Sequence, residues 1–347
     1  MKLRRRSRLI ATLILCVILA VSAVWLSLNL PYRGFANETY VRFDKGSGTR
    51  AIAKALQQSG VIRYDWQFWL ARALNPLETL VAGEYRFTDS ASVREVFRRI
   101  ARGDVYFIEL SVPEGSNMFD IAHIAASAGV MTVSDFLRAA QDPSKIRDLD
   151  PAAPSLEGYL FPATYRVFHS TTPAELCDMM THQFRRQWQR LVGVGQHADP
   201  HNVLTLASMV EKETSLAAER PLIAGVFTNR LRMNMRLECD PTTIYAALID
   251  DRYRGVIHRS DLANRNPYNT YQNAGLPPGP IANPGVDALA AALHPAQTDY
   301  LYFVAKPAGG SHQFSSTLAE HDKAVRAYRH EHPAPAAKNA SKKPKKA

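Results

Sequence analysis

A run of apolar residues near the start of the chain restricts its fold more than any other feature. Leu9 to Leu30 is 22 residues long and contains no charged side chain. A helix of that length, at about 1.5 Å per residue, crosses the hydrocarbon core of a bilayer. A cleaved signal peptide is the alternative, but the run exceeds a usual signal core and no clear small-x-small cleavage site follows. The sequence therefore predicts a transmembrane helix over residues 9–30.

The net charge of +10 comes from the two ends of the chain. Five basic residues precede the apolar run and five lie in the last ten residues, so the sequence between them is close to neutral. The basic balance is therefore no sign of nucleic-acid binding. By the positive-inside rule, residues 1–8 stay in the cytoplasm and the remainder is exported. The tail at 333–347, rich in Pro, Ala and Lys, is predicted to be disordered.

The cysteines restrict the chemistry further. Cys16 lies inside the apolar run, whereas Cys177 and Cys239 lie on the exported side, where they could pair. Their spacing alone does not decide this. Because the sequence has neither a CxxC nor an HExxH pattern, we expect no metal site and no other cofactor.

Residues 40–190, after a linker at 31–39, contain a pattern that recurs. FDKGSGTRAIAKALQQSGVI (43–62) aligns with VPEGSNMFDIAHIAASAGVM (112–131) at a constant offset of 69, and AGEYRF then aligns with EGYLFPATYRV. Each copy has a short strand, a Gly-Ser turn, an amphipathic helix and a glycine suited to a left-handed helix end. The region predicts two related αβ units that resemble LysM modules, which recognise N-acetylated sugars of cell-wall glycan. A duplicated scaffold without a ligand is equally compatible.

Residues 191–332 differ in character. Asp199 and Pro200 fit the cap and first turn of a helix that carries LASMVEKETS (206–215), and a second helix is predicted from Glu219. Loops rich in Asn, Pro and Gly are predicted at 238–248 and 266–285, and a strand at 300–306. The expected fold class is α+β, in which a mixed helix-and-strand catalytic domain follows the transmembrane helix and the αβ units.

The helix that carries LASMVEKETS ends in two acids. At about 100° per residue, Glu211 extends the apolar row of Leu204 and Ala207, while Glu213 lies on a neighbouring row with Leu206. Partial burial and the negative end of the helix dipole would both raise the pKa of such an acid. A carboxyl that is protonated near neutral pH can act as a general acid. A helix end with two solvated acids is the alternative.

Several motifs in this order resemble the endolytic murein transglycosylases, a family also called MltG-like or YceG-like. They are VPEG, EGYLFPATY, LASMVEKET, ERPLIAGVFTNRLRMNMRLECDPTTIYA, YNTY, GLPPGPIANPG and HPAQTDYLYFVA. The resemblance covers nearly the whole chain after the apolar run. It implies an inner-membrane enzyme that faces the periplasm, acts on peptidoglycan glycan strands and has peptidoglycan synthases as possible partners. Family members cut between N-acetylmuramic acid and N-acetylglucosamine without water and leave a 1,6-anhydro end.

The resemblance also implies roles for individual residues. The family's catalytic acid falls on the first acid of VEKET, Glu211, with Glu213 in a supporting part. Arg230 could orient Glu213, bind a peptide-stem carboxylate or be a surface charge. The loops offer hydrogen bonds and flat faces of the kind that hold sugars, although each of these residues could equally be loop structure. The predicted sugar contacts are Asp240, Tyr268, Asn269, Tyr271, Gln272 and Asn283.

Two other functions stay open. One is a membrane-tethered scaffold that holds peptidoglycan without cutting it. The other is a hydrolytic muramidase that combines Glu211 with a distant aspartate such as Asp240. Glu211 and Glu213 face different directions on one helix, so they cannot easily flank one bond as the paired carboxylates of a hydrolase do. A single acid suffices if the sugar supplies its own nucleophile.

Overall fold

The structure is a computed structural model that describes residues 2–193, 198–306 and 309–331. Within these ranges the chain combines α-helices with three two-stranded sheets, which confirms the predicted α+β class. The predicted basic tail at 333–347 lies outside the described residues. The helices are α1 (Lys2–Asn29), α2 (Thr49–Gln58), α3 (Asp65–Leu74), α4 (Val93–Arg102), α5 (Met118–Ser127), α6 (Val133–Ala140), α7 (Pro173–Val192), α8 (Pro200–Glu213), α9 (Arg220–Arg232), α10 (Asp240–Ile249), α11 (Arg259–Leu262), α12 (Val286–Leu293) and α13 (Leu318–Glu331). The strands are β1 (Thr39–Phe43), β2 (Gly83–Phe87), β3 (Ile108–Ser111), β4 (Thr164–Val167), β5 (Tyr302–Ala305) and β6 (His312–Ser315), and a 3-10 helix covers Pro143–Ile146.

Helix α1 contains the apolar run. Its segment Arg8–Asn29 is 22 residues long with a mean hydropathy of 2.8, which is long and apolar enough to cross a membrane. A signal sequence would have the same properties. The apolar side chains of this segment are exposed as far as Leu26, whereas Leu28, in the last turn, is buried. The end of α1 is therefore part of a packed structure.

Contacts divide the chain into two compact units. Of the described residues, those at 2–109 and 166–171 form the first unit, and the others, from Leu110 onward, form the second. The unit that carries α8 therefore begins at Leu110, well before the boundary predicted between 190 and 191. Most of the second copy of the repeat belongs to the same unit as the predicted catalytic region.

The first unit is built on β1 and β2, which pair antiparallel with Val41 opposite Tyr85. Helix α4 illustrates how the sequence forms its core, because its four large apolar side chains recur at helical spacing and are buried. These side chains are Val93, Val96, Phe97 and Ile100. Leu28 at the end of α1 joins the same core.

The repeat predicted from the sequence recurs in the backbone. Both copies run strand, two helices, strand, helix, from β1 to α4 and from β3 to α7. Gly60 and Gly129, at equivalent positions after α2 and α5, both have a φ of 71°, as predicted for left-handed helix ends. The hydroxyls of Tyr85 and Tyr165 each donate to the carbonyl four residues earlier. The two copies therefore share local structure as well as sequence.

The second unit is centred on α8, which packs against α9, α10 and α12. As predicted, Asp199 caps α8 by accepting a hydrogen bond from the His201 amide, and Pro200 occupies the first turn. The predicted second helix is α9, which begins after Glu219. The predicted strand is β5, which pairs antiparallel with β6.

The prediction of a loop at 238–248 was wrong, because α10 begins at Asp240. A proline is favourable in the first turn of a helix because its missing amide hydrogen would have no partner there. An acid is favourable in the same turn because its negative charge complements the helix dipole. The second predicted loop agrees with the structure: residues 263–285, all of them described, form turns without a helix or strand. This long loop leads directly into α12.

Candidate active site

The two glutamates at the end of α8 lie in different surroundings. The Glu211 side chain is 6% exposed, and both of its carboxylate oxygens are bound. Its Oε1 accepts a hydrogen bond from Arg220 Nη2 at 2.8 Å, and its Oε2 accepts one from the Gly285 amide at 2.9 Å. Because Arg220 begins α9 and Gly285 precedes α12, Glu211 joins the end of α8 to the starts of two neighbouring helices.

Arg220 is the partner that sequence reasoning missed. Its side chain is 7% exposed, and two further carboxylates lie near it, Glu114 at 3.9 Å and Asp287 at 3.6 Å. Burial raises the pKa of Glu211, the Gly285 amide and Arg220 oppose that rise, and Glu114 and Asp287 add to it. These surroundings are those of a buried ion pair that holds helices together.

Two glycines let the chain close around this ion pair. A Cβ on Gly285 would lie 2.0 Å from the Glu114 carboxylate, so a side chain cannot be placed there without moving it. Gly115 has a φ of 74°, which favours glycine, and its carbonyl accepts a hydrogen bond from Lys212 Nζ at 3.1 Å. The VPEG and ANPG segments therefore pack closely against the end of α8, with a left-handed glycine at 115 and a glycine at 285 that leaves room for the Glu114 carboxylate.

Glu213 lines a cavity of about 280 Å³ in the second unit. Its Oε1 accepts a hydrogen bond from Cys239 Sγ at 3.0 Å, and no arginine or lysine within the described ranges forms an ion pair with it. Burial raises the pKa of Glu213, the Cys239 thiol opposes that rise, and the charge of Asp240 adds to it. The other lining residues are Arg230, Leu237, Glu238, Asp240, Tyr271, Phe303 and His321.

The walls of this cavity are held by hydrogen bonds. Asp240 Oδ1 accepts one from the Tyr271 hydroxyl at 2.7 Å. Burial and this bond raise the pKa of Tyr271, so its hydroxyl stays protonated and remains a donor. His321 contributes a flat ring stacked on Tyr302, with the ring centroids 5.1 Å apart. Burial lowers the pKa of His321 and favours its neutral form.

Arg230 is neither a surface charge nor a partner of Glu213. It is buried, its Nε donates to the Leu301 carbonyl at 2.7 Å, and its Nη1 donates to the carbonyls of Arg236 and Leu237. Its nearest carboxylate is Glu238, at 3.4 Å. Arg230 therefore holds the segment before α10 against β5 and forms one wall of the cavity.

The predicted sugar contacts fall into two groups. Asp240 and Tyr271 line the cavity of Glu213. Gln272, the next residue after Tyr271, is exposed, and its side-chain amide donates a hydrogen bond to the Leu262 carbonyl. Tyr268 is partly buried and packs on Tyr245, with the ring centroids 5.1 Å apart. Of the six, Asp240 and Tyr271 have the position that contact with a bound sugar requires.

Asn269 and Asn283 require a correction, because both are completely buried. The Asn269 amide donates to the carbonyls of Asp261, Leu262 and Asn264, so it organises the long loop from within. A direct contact between either side chain and a sugar is incompatible with this burial. Asn residues in loops often have this structural role.

Asn283 belongs to a buried network around Glu157. Its Nδ2 donates to Glu157 Oε1 at 2.8 Å, while Glu157 Oε2 accepts from the Met118 amide at 2.9 Å and from the Tyr245 hydroxyl at 3.0 Å. Burial raises the pKa of Glu157 to about 7. The Gly115 amide in turn donates to the Asn283 carbonyl at 2.9 Å. The network therefore fixes the segment that ends in Gly285, the donor to Glu211.

The two cysteines that follow α1 are free thiols. Cys177 is buried in α7, and Cys239 is buried at the start of α10 beside Glu213. The disulfide that the sequence left open is thus not formed. Cys239 has instead a place in the candidate site that its spacing in the sequence did not indicate.

A larger cavity, of about 590 Å³, is lined by residues of β5, β6 and α13. Among the described residues that line it, the acid is Glu320, whose carboxylate accepts hydrogen bonds from the amides of Ser316 and Thr317. These bonds lower the pKa of Glu320 and cap α13. The acid there is committed to a helix end, so acid chemistry points to the smaller cavity of Glu213.

Comparisons with known proteins agree with one another. The profile of the YceG-like family matches residues 41–327. A Bacillus subtilis protein named endolytic murein transglycosylase is 33% identical over 307 residues, which cover 83% of this chain and 84% of that one. A Streptococcus pneumoniae protein of the same name is 28% identical over 317 residues, and the match covers 82% of this chain and 57% of that one. The crystal structure of a YceG-like protein from Listeria monocytogenes is 32% identical, with a TM-score of 0.55 over 83% of this chain and 99% of that one.

Proposed function

Because this chain belongs to the YceG-like family, we propose that it is an endolytic murein transglycosylase. It cuts peptidoglycan glycan strands internally, between N-acetylmuramic acid and N-acetylglucosamine, and leaves 1,6-anhydro ends. By doing so it terminates the growth of nascent strands. The observation that carries this proposal is an acid with a raised pKa, Glu213, in a polar cavity lined by Asp240 and Tyr271.

We assign the acid-base role to Glu213 in place of Glu211, the residue to which the sequence resemblance pointed. A general acid needs a carboxyl that is protonated near neutral pH and can reach the substrate oxygen. Glu213 lines a cavity and receives one hydrogen bond, from a thiol. Burial raises the pKa of Glu211 as well, so the two acids are distinguished by their contacts. Both oxygens of Glu211 are bound, by Arg220 and by the Gly285 amide. These contacts support a structural role for Glu211.

One acid is enough for the reaction. Protonated Glu213 gives its proton to the glycosidic oxygen as the bond from that oxygen to C1 of N-acetylmuramic acid breaks. The resulting carboxylate then accepts the proton of the C6 hydroxyl, whose oxygen bonds to the same C1. The proton that Glu213 gives is thereby returned, and no water is added. The charge of Asp240 raises the pKa of Glu213 and also stabilises positive charge that develops on the sugar ring.

Membership of the YceG-like family also supports a location for the enzyme at the membrane. Helix α1 anchors the chain in the inner membrane, with residues 1–8 in the cytoplasm and the remainder in the periplasm. The copies of the repeat between 40 and 190 are LysM-like units that hold glycan for the catalytic residues, which follow within 191–332. A peptidoglycan synthase is the expected partner, because nascent strands emerge at the membrane surface.

A hydrolytic muramidase is the second candidate, and one observation favours it. Glu213 and Asp240 line the same cavity, and a hydrolase uses two carboxylates on opposite sides of the bond. Asp240 Oδ1 accepts a hydrogen bond from Tyr271, which leaves Oδ2 as the oxygen that would activate a water. The relatives that share the family are named transglycosylases, and this favours the first reaction. Products distinguish the two reactions, since hydrolysis adds one water and transglycosylation adds none.

The test is digestion of purified, uncrosslinked glycan strands by the full chain in detergent, with products weighed by mass spectrometry. We expect anhydro ends with the native chain and with Glu211→Gln, and a loss of about 10²-fold or more with Glu213→Gln. Circular dichroism confirms that each variant is folded. Products heavier by one water would favour the muramidase, and no cleavage by the native chain would favour the scaffold. Loss of activity in a folded Glu211→Gln variant, with activity kept in Glu213→Gln, would return the role to Glu211.

A further inference from the structure

The first unit contains a groove beside the end of α1. It has a volume of about 320 Å³, and its apolar part is formed by Leu28, Ala71, Leu74, Phe97 and Ala101. Leu28 lies in the last turn of the apolar segment Arg8–Asn29. If α1 spans the bilayer, as the proposed function requires, then the groove opens at the level where the hydrocarbon core meets the headgroups.

One wall of this groove is a row of arginines on α4. Arg94, Arg98 and Arg102 are four residues apart, so they share one face of the helix, and all three are exposed. Arg94 Nη1 lies 3.4 Å from the side-chain oxygen of Asn29, the last residue of α1. The row therefore begins beside the end of α1 and continues along the groove.

The charge of this lining is positive overall. Glu78 is the acid among the lining residues, and Arg102 forms an ion pair at 3.0 Å with Asp104 outside the lining. That pair is exposed and therefore weak in water. Among the described residues, none forms an ion pair with Arg94 or Arg98. Three guanidiniums beside an apolar floor are matched by an anionic headgroup whose acyl chain continues into the bilayer.

We propose that this groove binds an anionic phospholipid of the membrane in which α1 is anchored. The phosphate contacts the row of Arg94, Arg98 and Arg102, and the upper part of an acyl chain covers Leu28, Leu74 and Phe97. The bound lipid fixes the first unit against the membrane surface. This proposal depends on the membrane anchoring in the proposed function and is independent of the catalytic residue.

The groove is supported by packing that a lipid would reinforce. α1 contacts both α3 and α4, and Gln67 Nε2 of α3 donates to the Ser27 carbonyl of α1 at 2.8 Å. The end of the span is therefore fixed to the two helices that line the groove. A lipid bound there contacts all three helices at once.

The experiment is native mass spectrometry of the full chain in neutral detergent, titrated with palmitoyl-oleoyl phosphatidylglycerol or with the matching phosphatidylcholine. We expect the native chain to prefer phosphatidylglycerol, and the variant with Arg94→Gln, Arg98→Gln and Arg102→Gln to lose about tenfold or more of that preference. The variant with lysine at the same three positions keeps most of it, because the charge remains.

The matched control changes three exposed arginines of the second unit to glutamine and alters the net charge equally; these are Arg138, Arg190 and Arg232. We expect the control to keep the preference of the native chain. Equal binding of the two lipids by the native chain, or an equal loss in the control, would overturn the proposal. An intact mass that lacks the residues of α1 would show that the segment is cleaved and would contradict the anchoring. Glu213→Gln should bind lipid as the native chain does, because the groove is independent of the catalytic residue.

Discussion

Replacement of Arg220 by methionine tests the structural role assigned to Glu211. The side chains of Arg220 and Glu211 are 7% and 6% exposed and lie 2.8 Å apart. Removal of one partner from a buried pair costs about 3–5 kcal/mol, and we take about 3 kcal/mol because Glu211 can be neutralised by a proton. For a chain of this size, each kcal/mol lowers the melting temperature by about 2–4 °C. We therefore expect a decrease of about 6–12 °C near pH 7.

The pH dependence of this effect has a defined sign. Burial already raises the pKa of Glu211 above its ordinary value of 4.5, and Arg220 opposes that rise, so its removal raises the pKa further. A raised folded-state pKa means that stability is present below the unfolded pKa and is lost as the pH rises through the folded one. The effect of Arg220→Met should therefore be larger at about pH 8 than at about pH 5.

Scanning calorimetry of the full chain in detergent at about pH 5, 7 and 8 measures both the decrease in melting temperature and its dependence on pH. The exposed residue Arg232 provides a control, since Arg232→Met removes the same charge from the surface and should change the melting temperature little. An unchanged melting temperature of Arg220→Met at pH 7 would refute the buried ion pair. A larger loss at the acidic pH would refute the linkage between Arg220 and the proton of Glu211.

Three further predictions concern the acids and their neighbours. Cys239→Ala removes a hydrogen bond that lowers the pKa of Glu213, so the activity should persist to higher pH. Cys239→Ser keeps a donor and should leave the pH–rate profile in place. A shift of the profile of Cys239→Ala to lower pH would contradict the proposal that Glu213 is the acid. Asp240→Asn removes a charge that raises the same pKa, so the activity should fall at lower pH, and an upward shift would be inconsistent with it. The pKa of Glu157 is about 7, so ionisation of this buried acid should lower the stability of the native chain by about 3 kcal/mol as the pH rises from 4.5 through 7. Glu157→Gln should reduce this pH dependence. An equal fall in the melting temperatures of both proteins would exclude Glu157 as its source.

Much of the fold follows from local signals that the sequence carries. The cap at Asp199, the helix after Glu219 and the left-handed glycines at 60 and 129 depend on residues adjacent in sequence, so their physical causes can be identified without tertiary contacts. Helix α10 was missed because Asp-Pro is compatible with both a turn and a helix start. Only the packing of its buried residues distinguishes these alternatives.

The assignment that we propose for the acid could not be made from local signals. A helical wheel places Glu211 and Glu213 on neighbouring rows, but it does not indicate which row meets other helices and which meets a cavity. The answer depends on Arg220 and Gly285, which reach Glu211 from two other helices, and on Cys239, which reaches Glu213 from a third. Burial predicted a raised pKa for both acids, and that direction agrees with the structure.

The contacts that reach Glu211 from other helices also explain why a chain would keep a buried ion pair beside its proposed acid. Glu157 and Asn283 fix the segment that ends at Gly285, and the Gly285 amide binds Glu211. Glu211 thereby fixes the last turn of α8, and Glu213 lies in that turn. A general acid must stay within hydrogen-bond reach of the oxygen that it protonates, and helix ends otherwise fray. With Glu213 as the proposed acid, the role of the buried acids Glu157 and Glu211 is to position it, because they hold the turn from which Glu213 enters the cavity.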